Sequence, residues 1–176
     1  MKLLLVSMLF VAGVLSPWFV SAGEPEDEFM TSPLPIPGVT AVEAATEIEK
    51  AQGEVQFITL FSPTCGRCNA MKTSLTDVAE RAKKAGCRVE GFATSGSDEA
   101  IDTYLGIVSP FRRVKLTEWT DGRLNEALAS VGVDIPQMAV PYFIVIGRDG
   151  KAISHGAAQE GLMEAEAAMK DQGLKL

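Results

Sequence analysis

The strongest constraint on this chain is a junction. The run Val55–Phe61, apolar, aromatic or β-branched at most positions, leads within a few residues into a stretch whose apolar residues return at helical spacing. A run so short and unbroken suits a strand buried on both faces, and such strands belong to sheets covered by helices. From Asn69 to Lys84 the apolar positions are Met71, Leu75, Val78, Ala79 and Ala82, the stripe of an amphipathic helix, and Gly86 closes it. A strand therefore hands over to a helix across a few residues that include two cysteines.

The same grammar recurs. Arg88–Ala93 reads as a second strand, and 97–105 as a helix opened by Ser97 with acids in its first turn. A shorter strand is expected over 114–119, a helix over 124–131, a strand over Tyr142–Ile146, a turn at Asp149-Gly150 into a strand over 151–155, and a closing helix over 160–170. Upstream, Val42, Ala45, Ile48 and Ala51 predict a helix ended by Gly53. Together these predict an α/β fold with a central mixed sheet flanked by helices. With 176 residues and 47% hydrophobic content the chain can build one core, and 42–176 is assigned to it.

Residues 1–22 read as an export signal. Lys2 is the positive start, Leu3–Leu15 the apolar run, Ser16-Pro17 a break, and Val20-Ser21-Ala22 a small-residue site with cleavage expected after Ala22. An uncleaved anchor is the competing reading, because Leu3–Val20 nearly spans a bilayer core of about 30 Å. Residues 23–41 form an acidic, Pro-rich lead-in; Pro33, Pro35 and Pro37 block both helix and central strand, leaving a tether or an edge-lying segment. The formal charge of −7 lacks the basic footprint that nucleic-acid binding requires, so the expected partners are proteins. Export places the chain in the periplasm or another oxidising compartment, on the membrane only if the signal stays.

The chemistry lies in Cys65-Gly66-Arg67-Cys68. Two residues between thiols suit a disulfide within one turn, and a helix start offers unpaired N–H groups and partial positive charge that favour a thiolate. Such settings lower a cysteine pKa from about 8.5 to between about 3.5 and 7.5. Cys65, nearer the start, is expected to attack, and Cys68 to resolve the resulting mixed disulfide. The spacing also occurs in zinc sites, which need about four ligands; beyond the pair the sequence offers Cys87 and His155. No metal or other cofactor is assigned.

Two segments resemble the thioredoxin superfamily. The run 57–68, Phe-Ile-Thr-Leu-Phe-Ser-Pro-Thr-Cys-Gly-Arg-Cys, is similar to the family's strand and redox motif, and 133–151, containing Val140-Pro141-Tyr142-Phe143, to its cis-proline loop, strand and hairpin. The likeness covers about 42–170 and implies a thioredoxin-like fold and a thiol-disulfide oxidoreductase, a reductase or isomerase of exported proteins with an unassigned electron donor. It also implies that Val140 and Pro141 face the pair in cis and bind the substrate strand; a trans proline opening a strand is the alternative. The insertion over 97–132 makes TlpA-like exported thioredoxins the nearest likeness, beside conjugation-associated proteins similar to disulfide isomerases.

Departures from the family bear on mechanism. Thr64 replaces a common Trp, Thr59 stands where many relatives hold a buried acid, and Met71 where TlpA-like proteins have Glu, so Cys68 must lose its proton by another route, with Glu54 and Glu118 as substitutes or solvated acids. Gly66 and Arg67 are read as tuning residues; Arg67 either favours the thiolate or is screened by salt. Cys87 is read as a buried free thiol or a regulatory disulfide partner, His155 as a strand-end residue, and Trp119 and Tyr142 as substrate-face or packing aromatics. The second function class is a redox-inert or metal-carrying binding module of an envelope assembly.

Overall fold

The computed structural model describes residues 38–39, 43, 53–106, 109–116, 128–134 and 139–176, all within the unit Pro33–Leu176. The expected signal over 1–22, the lead-in apart from Gly38 and Val39, the helix over 42–51 apart from Glu43, residues 124–127 of the helix expected over 124–131, and Glu118 and Trp119 lie outside the described residues. The elements in chain order are β1 (Gly38–Val39), β2 (Gln56–Phe61), α1 (Gly66–Lys84), β3 (Arg88–Ala93), α2 (Asp98–Leu105), β4 (Arg112–Leu116), β5 (Tyr142–Ile146), β6 (Ala152–Ala157) and α3 (Ala158–Asp171).

The strands form one mixed sheet in the order β1-β4-β3-β2-β5-β6. β2 is central, parallel to β3 and antiparallel to β5, and every one of its residues is buried, the polar Gln56 and Thr59 included. Alternation divides the core between the two faces. Phe57, Phe61, Val89, Phe143 and Val145 join the apolar stripes of α1 and α3, while Ile58, Leu60, Phe92, Val114, Ile144 and Ile146 meet Leu128, Val131 and Val133. β1 lies in the expected lead-in and pairs with β4 at the sheet edge.

The starts of α1, α3 and β4 differ from the sequence reading. α1 starts at Gly66, three residues before Asn69, because its first turn is exposed apart from Cys68 and leaves no apolar stripe to mark it. α3 starts at Ala158 rather than Glu160, with β6 running to Ala157 and no loop between them. That junction has a steric basis: a Cβ on Gly161 would lie 2.3 Å from the carbonyl carbon of Gly156, so the helix crosses the strand only because both positions lack side chains. β4 begins at Arg112, two residues before the expected Val114, and its charged start is anchored by ions rather than apolar contacts. Arg112 and Arg88 both bond the buried Glu90 carboxylate, and Arg113 bonds Asp102 of α2.

Candidate active site

Chain direction assembles the site. β2 ends at Phe61 and α1 begins at Gly66, so Cys65 sits at the N-cap of a 19-residue helix with extended backbone (φ −78°, ψ 121°) and no side-chain cap. The N–H groups of the first turn are therefore available to an anion at that end. β5 runs antiparallel to β2 with Leu60 opposite Tyr142, which brings the residues just before Tyr142 to the same end of the sheet as Cys65. The Val140–Pro141 bond is cis, and the Cys65 thiol donates to the Val140 carbonyl at 3.5 Å.

The loop that carries Cys65 is tied on several sides. Its N–H donates to Ser62 O at 3.1 Å, and Asn69 Nδ2 donates to Pro63 O and Cys65 O at 3.0 and 3.1 Å. Ser62 Oγ bonds Thr64 Oγ1 at 3.0 Å and Ser95 Oγ at 2.8 Å, joining this loop to the one after β3. Beside it a groove of about 380 Å³ is lined by Pro63, Thr64, Asn69, Lys72 and Tyr104 among others. A larger hollow of about 520 Å³ lies against β6 and α3 and is lined by no residue of the loop that carries Cys65.

Both thiols of the pair are free, and their surroundings differ. Cys65 is partly exposed, whereas Cys68, one turn along, is fully buried. Burial works against ionisation of Cys65, yet the N–H and thiol of Cys68, the N–H of Arg67 and the Arg67 charge together hold its thiol below the ordinary value. Burial, with the bond and charge of Cys65 beside it, pushes Cys68 up to about 12 against the opposing pull of the Ser62 backbone. The two residues between them, Gly66 and Arg67, are both exposed.

The remaining candidates fall in several places. Thr59 is buried and its Oγ1 has no hydrogen-bond partner among the described residues, consistent with a position that holds no base. Met71 is buried in the core under α1, and Glu54 is exposed. Cys87 is a buried free thiol that donates to Val55 O at 3.2 Å, and burial pushes it up to about 12. Tyr142 is buried, bonded through its hydroxyl to Nδ1 of the exposed His155 at 2.8 Å. Among the described residues no three His, Cys, Asp or Glu side chains are grouped to hold a metal ion.

Sequence reasoning missed Tyr104. Its spacing with Ile101 and Leu105 marks a core aromatic of α2 and nothing more, but its hydroxyl donates to the Cys68 carbonyl at 2.9 Å. Only the packing of α2 beside α1 reveals that contact.

No family model and no curated protein matches the sequence. Solved structures are similar in fold. A thiol:disulfide interchange protein of the thioredoxin family from Chlorobium tepidum superposes with a TM-score of 0.54 at 18% identity, over 80% of this chain and 96% of its own. A secreted Mycobacterium tuberculosis disulfide oxidoreductase, described as homologous to Escherichia coli DsbE, gives 0.51 at 20% identity over 69% and 84%. The thioredoxin domain of a Bacteroides vulgatus thiol-disulfide oxidoreductase gives 0.52 at 16% over 72% and 82%. The chain has the thioredoxin-like fold that the sequence predicted. Among the described residues no helix is long and apolar enough to cross a membrane.

Proposed function

We propose that this chain is a thiol-disulfide oxidoreductase of exported proteins, a reductase or isomerase that works through Cys65 and Cys68. One observation carries the reading: two free thiols at one helix terminus, the partly exposed one held below its ordinary pKa and the buried one pushed up to about 12. That asymmetry assigns the order of events. Cys65 thiolate attacks a substrate disulfide, forming a Cys65–substrate disulfide and releasing one substrate thiolate. Its sulfur then carries no charge, so two of the causes that hold Cys68 up, the bond and the charge of the Cys65 thiolate, disappear. Cys68 loses its proton to solvent and attacks the Cys65 sulfur, giving the Cys65–Cys68 disulfide and the second substrate thiolate. The substrate gains two electrons, and an external dithiol must return the pair to its reduced form.

In this reading Val140 and Pro141 face the incoming strand, and the Val140 carbonyl, already an acceptor for Cys65, is the backbone group a substrate meets first. Gly66 leaves the approach open while Arg67 adds positive charge beside the thiolate. Structure neighbours described as disulfide oxidoreductases and interchange proteins support the same chemistry. The N-terminal signal supports export, with the domain of 42–176 working after removal of 1–22 and behind the lead-in of 23–41. The test uses mature protein recovered from the cell envelope, its N-terminus expected at Gly23, in insulin reduction driven by dithiothreitol. Cys65→Ser is expected to lower the catalysed rate by about 1000-fold or more, to the level without protein. Equal rates for the parent and Cys65→Ser would remove the proposed activity.

A further inference from the structure

Tyr104 is bonded to the residue that carries the resolving sulfur. It is 3% exposed, its ring stacks on Phe61 with centroids 4.7 Å apart and planes 14° apart, and the Lys72 ammonium lies 5.9 Å over it while donating to Thr103 O at 2.9 Å. The hydroxyl donates to Cys68 O at 2.9 Å. Inside an α-helix that carbonyl already faces the N–H four residues on. The tyrosine bond is therefore an addition from a different helix rather than the repair of an unsatisfied group.

Placement gives this extra bond a consequence. First turns of helices fray, and here the turn opens on Cys65 and Gly66, without a side-chain cap. Closing the disulfide requires the Cys68 sulfur to reach about 2.05 Å from that of Cys65 along a defined line. An anchor on the Cys68 backbone holds one partner still while Cys65, joined to substrate, moves. The capture step has no need of it, because Cys65 lies outside the anchored segment.

We propose that Tyr104 is a positioning residue for the second half of the exchange: it fixes the backbone of Cys68 against α2 so that the resolving sulfur attacks the mixed disulfide in register. It is neither acid nor base here, since burial and the charges of the two cysteines push its ionisation upward and leave the hydroxyl a donor. The proposal rests on the thiol-exchange reading, and its test separates the two.

Reduced protein is mixed with the aromatic disulfide 5,5′-dithiobis(2-nitrobenzoate). Cys65 attacks it, forming a protein–nitrothiobenzoate disulfide and releasing one coloured thiolate; Cys68 then closes the protein disulfide and releases the second. Two protein thiols are oxidised, two protons leave, and the reagent takes up two electrons. Cys68→Ala fixes the amplitude of the first phase together with any contribution from Cys87. In Tyr104→Phe the first phase should stay within about twofold of the parent and the second slow by about fivefold or more, the factor that one buried hydrogen bond commonly represents. Val114→Ala, which loosens the opposite face of the sheet, should keep the parent ratio of the two phases. A parent-like second phase in Tyr104→Phe, or equal slowing of both phases, overturns the positioning role. A parent that releases only the first thiolate overturns the exchange reading, and the tyrosine's role with it.

Discussion

α1 carries a cysteine just outside each end, and the two are chemical opposites. Cys65 stands at the N-cap, partly exposed, beside N–H groups and the Arg67 charge that hold its thiol below the ordinary value. Cys87 follows the C-terminus, buried, with its sulfur donating to Val55 O and lying 3.9 Å from Met169 Sδ. Burial pushes it up to about 12, and the nearby Glu54 charge adds to the shift. The difference teaches that residue type decides little here: the helix end and the access of solvent decide which sulfur can become a nucleophile. At that end Arg81, Lys83 and Lys84 face the negative pole of the helix, while burial and the Glu54 charge keep the Cys87 thiol neutral.

The largest consequence is in reaction rate. Iodoacetamide reacts with thiolates, and at neutral pH groups that titrate near 12 present only about one thiolate in 100,000. Cys65 should therefore be alkylated at least about 100-fold faster than Cys68 or Cys87 in reduced protein, as followed by mass mapping of each site. Comparable rates at Cys65 and Cys87 would break the contrast between the two ends of the helix.

The second consequence concerns alkaline stability. A thiol raised in the folded state stabilises the fold fully below its unfolded pKa, and that contribution is lost as pH rises through the folded one. For Cys87 the window runs from the ordinary thiol value of about 8.5 to about 12. There the unfolded chain has released a proton that the native protein keeps, so unfolding free energy falls by up to about 1.4 kcal/mol per pH unit for this group. Urea unfolding of Cys87→Ala should show a shallower loss over that window than the parent. An unchanged slope would mean that Cys87 is not held neutral by its surroundings.

The smallest effect sharpens the other end. Arg67 is exposed, so its charge is screened, and its contribution to the Cys65 thiolate should stay below about 1 kcal/mol. Arg67→Gln should raise the Cys65 pKa slightly at low salt, lower the reduction potential in a glutathione equilibrium, and lose both effects as salt rises. A variant identical to the parent at low salt would make the arginine a solvated bystander.

Much of the fold was legible because its strands are buried on both faces and its helices carry plain stripes. β2, β3 and β5 fall where the sequence placed them, and all their residues but Arg88 are fully buried. β6 was harder: its burial alternates at the sheet edge, and its direct passage into α3 depends on Gly156 and Gly161 touching, a contact between residues five apart that no periodicity encodes. The apolar stripe marked α1 only from Asn69, because the exposed residues of its first turn leave no stripe, and it was the cysteine spacing that pointed to the helix start.

The sequence by itself determined that Cys65 and Cys68 sit where a buried strand becomes a helix, since strand, helix and spacing are local properties of the chain. Neighbours far along the chain decided what each thiol is. The antiparallel register of β5 on β2 put the Val140 carbonyl 3.5 Å from Cys65, and the packing of α2 beside α1 put the Tyr104 hydroxyl on Cys68. Desolvation made Cys68 and Cys87 reluctant acids, and it depends on what covers a group in three dimensions. Covering of that kind is set by the whole sheet and its helices, so the motif is written in the sequence while its asymmetry belongs to the fold.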